Sequence, residues 1–201
     1  MPETPAADYV LTASGENLRV CCVWVGDRFA HRLEGFWNQA WQPWLESVEG
    51  DTENPWPPSA PIQELHRQDW MESDCLLGVG KAGHGHWSLS LEPLNDAVGF
   101  RFDMACRAKL SDATASLAQT YQGVGPKNHA AIIKNESPTV MTIHPPGVTR
   151  GHLEWRVVEG GQLRSLSESK CALEVDLPKE SGPHTVRWIY ELRWISSSES
   201  S

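Results

Sequence analysis

The chain has 201 residues, 17 of them basic and 26 acidic, for a net charge of −9. An apolar content of 40% with 21% charged residues suits one folded core rather than a disordered chain, and the acidic balance argues against a general binder of phosphate backbones, so no nucleic-acid partner is expected. No stretch approaches the ~18 consecutive apolar residues of a membrane-spanning helix, and no basic, apolar leader opens the chain.

In chain order, residues 1–16 are rich in Pro, Ala, Thr and Glu and read as loose. Leu18 to Val25 is a buried strand. Gly26-Asp27 makes a turn, and Phe29 to Trp37 returns as a hairpin partner. Trp41 to Val48 reads as a third strand. Strict alternation puts Trp41, Pro43, Leu45 and Ser47 on one face and Trp44, Glu46 and Val48 on the other, with Pro43 marking an edge or a bulge. Residues 49–61 form a long loop, acidic first and then stiffened by proline around Trp56, and Ile62 to His66 is another short strand.

From His86 onward the alternation is clear. Trp87, Leu89 and Leu91 interleave with His86, Ser88, Ser90 and Glu92; after a turn, Phe100, Phe102, Met104 and Cys106 interleave with Arg101, Asp103, Ala105 and Arg107. This period of two is that of antiparallel strands with one face on a core and the other in water. Residues 110–122 are the one plausible helix, with a strand at the end as its alternative. Ala130 to Lys134, Thr139 to His144, His152 to Glu159, Cys171 to Leu177 and His184 to Ile195 complete the set of strands, with a Gly/Ser-rich connection before Cys171 and a disordered tail over 196–201. The expected architecture is all-β: a single-domain antiparallel β-sandwich or flattened barrel over 17–195, with at most one short helix.

Five cysteines are scattered without a C-x-x-C pair, four of them in apolar runs, which reads as packing in a reducing cytoplasm. Gly78-x-Gly80-x-x-Gly83 matches the dinucleotide fingerprint in letters only. That motif requires a helix at its third glycine, whereas a strand pattern follows here, so a tight turn or a close backbone approach is expected instead. Glu46, Glu49, Asp51 and Glu53 match no calcium loop and read as solvated. No nucleophile elbow and no His-Glu-x-x-His occurs.

Two leads point to binding. Ten tryptophans are many for this length, and Trp37, Trp41, Trp44, Trp56 and Trp70 gather near loops and edges of the first third. Trp41, Trp44 and Trp56 are the candidates for stacking on a sugar ring or gripping a partner protein, against the alternative of a satellite core. The second lead is His84 and His86, which at i and i+2 of a strand share a face and can share a metal if a third ligand arrives.

The order Gly78-x5-His84-x-His86-x5-Glu92-x6-Gly99 resembles the first motif of the cupins, metal-binding β-barrels, and Pro145-x-Gly147-x4-His152 is a stretched form of their second. The glutamate stands further along than in cupins, and the downstream asparagine is absent. The resemblance implies a divalent transition metal (Zn, Fe, Ni or Mn) held by His84, His86, Glu92 and His152. Separately, SVEGD (47–51), WPPSAPIQELH (56–66), HWSLSLE (86–92) and FDMACR (102–107) look like segments of an uncharacterised β-rich family of environmental bacteria, planctomycetes among them. That resemblance implies a shared fold and no activity. The leading expectation is a binding sandwich for a partner protein or sugar-like ligand with no cofactor; the cupin-like metalloprotein is its alternative.

Overall fold

Strand parity decides the architecture, because each alternating segment has one apolar face to bury and a backbone whose polar groups need a neighbouring strand. A computed structural model describes residues 9–13, 15, 17–70, 73–110, 117–125, 131–178 and 182–197. Among these residues fifteen strands follow one another: β1 (Tyr9–Thr12), β2 (Leu18–Val25), β3 (Arg28–Trp37), β4 (Ala40–Ser47), β5 (Glu64–Trp70), β6 (Ser73–Ala82), β7 (Gly85–Pro93), β8 (Gly99–Leu110), β9 (Ala118–Gly123), β10 (Ile132–Ser137), β11 (Val140–His144), β12 (His152–Glu159), β13 (Gly161–Ser167), β14 (Lys170–Val175) and β15 (Gly182–Ile195). Among the described residues no helix is long and apolar enough to cross a membrane.

The strands build two antiparallel sheets, neither closed into a barrel. The first, sheet A, runs β1-β2-β3-β4-β9-β14-β13; the second, sheet B, runs β10-β11-β12-β15-β8-β7-β6-β5. The fold is thus the expected sandwich. Trp155, Trp188, Tyr190, Tyr121, Phe100 and Phe102 are fully buried between the sheets, and each such side chain stabilises by ~1.5–3 kcal/mol relative to exposure. Phe102 and Tyr190 stack at 4.7 Å between ring centres.

Three segments are sharpened. Tyr9–Thr12, inside the segment read as loose, is edge strand β1, and its Leu11 is wholly buried. In the segment read as a helix with a strand at its end as the alternative, 118–122 take the strand form as part of β9 between β4 and β14, Leu110 ends β8, and 111–116 lie outside the described residues. The Gly/Ser-rich connection before Cys171 contains β13, an edge strand that buries little besides Leu163.

The glycines of the dinucleotide-like run serve packing. A Cβ on Gly80 would lie 1.7 Å from the carbonyl oxygen of Pro61, and one on Gly78 would lie 2.6 Å from Ile62. The loop over 59–63 therefore seats directly on β6, where Gln63 N–H donates to the Val79 carbonyl at 2.9 Å. Gly83 turns the hairpin with φ 53°.

A small polar island crosses the core. Tyr121 Oη lies 2.9 Å from Tyr190 Oη and 3.5 Å from His31 Nδ1. The His31 backbone N–H donates to Ser47 Oγ at 2.8 Å, and that hydroxyl donates to Glu49 Oε1. His31 Nε2 and Glu49 Oε2 are buried with no hydrogen-bond partner among the described residues. Desolvation explains both shifts: burial lowers the His31 imidazole to about 4 and raises the Glu49 carboxyl to about 7.

Candidate functional site

The end of the sandwich where β3 and β15 finish and β4 begins opens into a cleft of about 360 Å³. Its aromatic lining starts from a bulge. Leu33 pairs with Leu45 but Glu34 pairs with Pro43, so Trp44 is the extra residue in β4. The insertion breaks the alternation expected for this strand. Trp41 and Pro43 face outward with Phe36 and Glu34, Leu45 faces inward with Leu33, and Trp44 is pushed inward, where it is only 4% exposed. Gly35 makes room for it, since a Cβ there would sit 2.0 Å from the indole. From the opposite sheet, Trp194 meets Trp44 at 5.3 Å between ring centres, tilted by 30°.

Trp37 forms a wall at the end of β3. It is carried by a two-residue hairpin turn with φ 50° at Asn38 and 65° at Gln39, the backbone of a type I′ connection. Asn suits that conformation; Gln adopts it at a cost. The loop after Pro145 closes the other side: Gly147 passes under the Trp37 indole and Gly151, with φ 139°, passes against Trp194, where a Cβ would lie 2.4 Å from the ring. Phe36, 44% exposed, forms the lip. Leu18 and Val98 complete the apolar lining, and Asn17, Arg150 and Ser196 bring polar groups to it. The cleft therefore combines flat aromatic faces from both sheets with a few polar groups at its rim.

The three tryptophans singled out from sequence do not converge. Trp44 lines the cleft. Trp41 lies on the outer face, edge-on to Phe36 at 5.4 Å and covered by the Arg19 guanidinium 4.2 Å from its ring centre. Trp56 packs edge-on against Trp87 at 6.3 Å, on the core side of the long loop.

The proposed metal set does not converge either. His84 and His86 share an exposed groove with Arg107. Glu92 lies six residues beyond His86 on the same strand, about 20 Å away at ~3.3 Å per residue, beside Arg101 in a separate polar recess. His152 is further still. His86 is level with Arg107 and Thr185, whereas His152 is level with Ile195, ten residues along β15 and so roughly 30 Å off. Its imidazole neighbours His144 instead, 5.6 Å between ring centres. Among the described residues no three His, Cys, Asp or Glu side chains gather as metal ligands would. A strand spreads residues that are close in sequence along its length, and spacing alone hides that.

The acidic loop likewise disperses. Glu46 pairs with Arg32 at 2.6 Å, Glu49 turns into the core, and Asp51 caps a turn by accepting from the Glu53 N–H at 3.1 Å. Cys106 is 1% exposed, and burial raises its thiol to about 12, as expected of a packing residue rather than a nucleophile.

Sequence reasoning missed Phe36, Val98, Trp194, Asn17, Arg150 and Ser196 as lining residues. The available signals were small: Gly35 opposite a tryptophan-rich strand, and Asn38-Gln39 as a hairpin tip.

Fold and cleft together define a two-sheet antiparallel β-sandwich with an aromatic recess between its sheets at one end. No protein-family model matches the chain, and a search of curated proteins finds no match.

Proposed function

We infer that the protein is a ligand-binding β-sandwich and that the end cleft takes a sugar-like ligand. The observation that carries this is the convergence of Trp37, Trp44 and Trp194 from two sheets on one recess. Large aromatic faces at a concave site stack on the flat apolar side of a sugar ring, and a few rim polar groups serve its hydroxyls. The recess is also of small-molecule size, which favours a compact ligand over the flat surface of a partner protein.

Intrinsic tryptophan fluorescence tests this directly. Short neutral gluco-, xylo- and manno-oligosaccharides are titrated into the protein and into its Trp37→Ala and Trp41→Ala variants. A saturable change with at least one series is expected, weakened about tenfold or more in Trp37→Ala and retained in Trp41→Ala, whose ring lies outside the cleft. No response from any series, or equal loss in both variants, overturns the reading.

A further inference from the structure

At the opposite end of sheet B, three basic side chains stand in a row. Lys81 on β6 is directly opposite His86 on β7, and His86 is directly opposite Arg107 on β8. All three are exposed, while their inward neighbours Ala82, Trp87, Cys106 and Ala108 are buried, so the row lies on the outer face of the sheet. His84, in the turn before β7, joins His86 and Arg107 in lining a groove of about 420 Å³.

This arrangement needs an explanation beyond folding. Basic groups directly opposite one another across a ladder repel. Elsewhere on the same face each guanidinium has a carboxylate. Arg187 binds Asp103 through two nitrogens, and Arg101 and Arg193 both meet Glu191. Among the described residues, Lys81 and Arg107 have no ion-pair partner. The next residue of the row, Thr185, is neutral. The nearest outward carboxylate on the β5 side is Glu64, which is opposite Val79 and hence one step diagonal to Lys81. On the β8 side, Asp103 is four residues from Arg107 and already engaged. A local excess of positive charge thus persists in a chain of net charge −9.

We propose that this row is an oxyanion-binding site, distinct from the aromatic cleft, for a ligand bearing two or more phosphate or sulfate groups. Adjacent strands lie ~4.8 Å apart, so the three side chains span about 10 Å, more than one tetrahedral anion covers. Arg107 supplies a planar fork, Lys81 a point charge, and the imidazoles further N–H donors. The site stands independently of the sugar-binding reading, because it shares no residue with the end cleft.

Isothermal titration of the full chain with inorganic tripolyphosphate, orthophosphate and sucrose octasulfate tests it, at matched ionic strength. The multivalent probes are expected to bind about tenfold or more tighter than orthophosphate. Lys81→Gln, His86→Gln and Arg107→Gln should each weaken them. Arg164→Gln, which makes the same charge change on β13 of the other sheet, should not. Preference for tripolyphosphate assigns a phosphate chain, and preference for the octasulfate assigns a sulfated saccharide. Failure of both to bind at millimolar concentration overturns the proposal. So does equal weakening by Arg164→Gln, or wild-type affinity in both Lys81→Gln and Arg107→Gln.

Discussion

His31 and Glu49 are two ionisable residues held in one polar island with opposite consequences for acid and base. Glu49 titrates at about 7 in the fold against an ordinary 4.5, so the folded chain holds a proton that the unfolded chain has released across that interval. Its contribution to stability is complete below 4.5 and is lost as pH rises through 7. His31 titrates at about 4 against an ordinary 6.5, so its contribution is complete above 6.5 and is lost as pH falls through 4. Between 4.5 and 6.5 the two slopes oppose and largely cancel, giving a plateau. Glu49→Gln should remove the alkaline loss, worth up to ~3 kcal/mol, and leave the acid loss in place. Urea melts near pH 5.5 and ~8 read this out: the wild type is expected to be slightly weaker at the higher pH, because Glu49 loses more than His31 gains, and the variant stronger there, because only the His31 gain up to 6.5 remains. An unchanged difference in the variant would show that Glu49 is not the group responsible.

Among the elements, β7 and β8 were legible because their alternation runs without interruption, and the buried set Trp87, Leu89, Leu91, Phe100, Phe102, Met104 and Cys106 is the one expected. β4 was not. One inserted residue, Trp44, reverses parity partway along the strand, and Pro43 beside it was the only local warning. β13 escaped notice because an exposed edge strand has little apolar face to alternate. The glycine run of β6 was readable as a close backbone approach, yet its partner at Pro61 and Ile62 was not, since nothing local specifies which loop arrives. Two substitutions separate these glycine roles. Gly26→Ala meets open space and a φ of 67°, and should cost about 1–2 kcal/mol. Gly80→Ala drives a methyl into backbone and should cost about 3 kcal/mol or more, or prevent folding. Denaturant melts of the two variants that agree would show that the loop over 59–63 is not seated on β6.

Across the whole molecule, the strands that join each sheet arrive late. β9 connects β4 to β14, pairing Leu45 with Gly123, and β15 connects β8 to β12, pairing Leu110 with Gly182. Such distant pairings made the sheet order, and with it the cleft between Trp44 and Trp194, invisible to any local reading of the sequence. They also place the fold among those dominated by non-local contacts, so stopped-flow refolding should proceed in ~milliseconds to seconds; microsecond folding would contradict this topology. The position of β15 has a mechanical consequence. Held on both sides from Ile189 to Arg193 and on one side along the rest of its 14 residues, it resists a pull as a clamp loaded in shear. The four-residue β1, whose one ladder partner among the described residues is β2, peels from its edge one pair at a time. A force entering from the β1 side would strip the rim of sheet A while the β8–β15–β12 ladder stays closed, so the molecule yields first on one side.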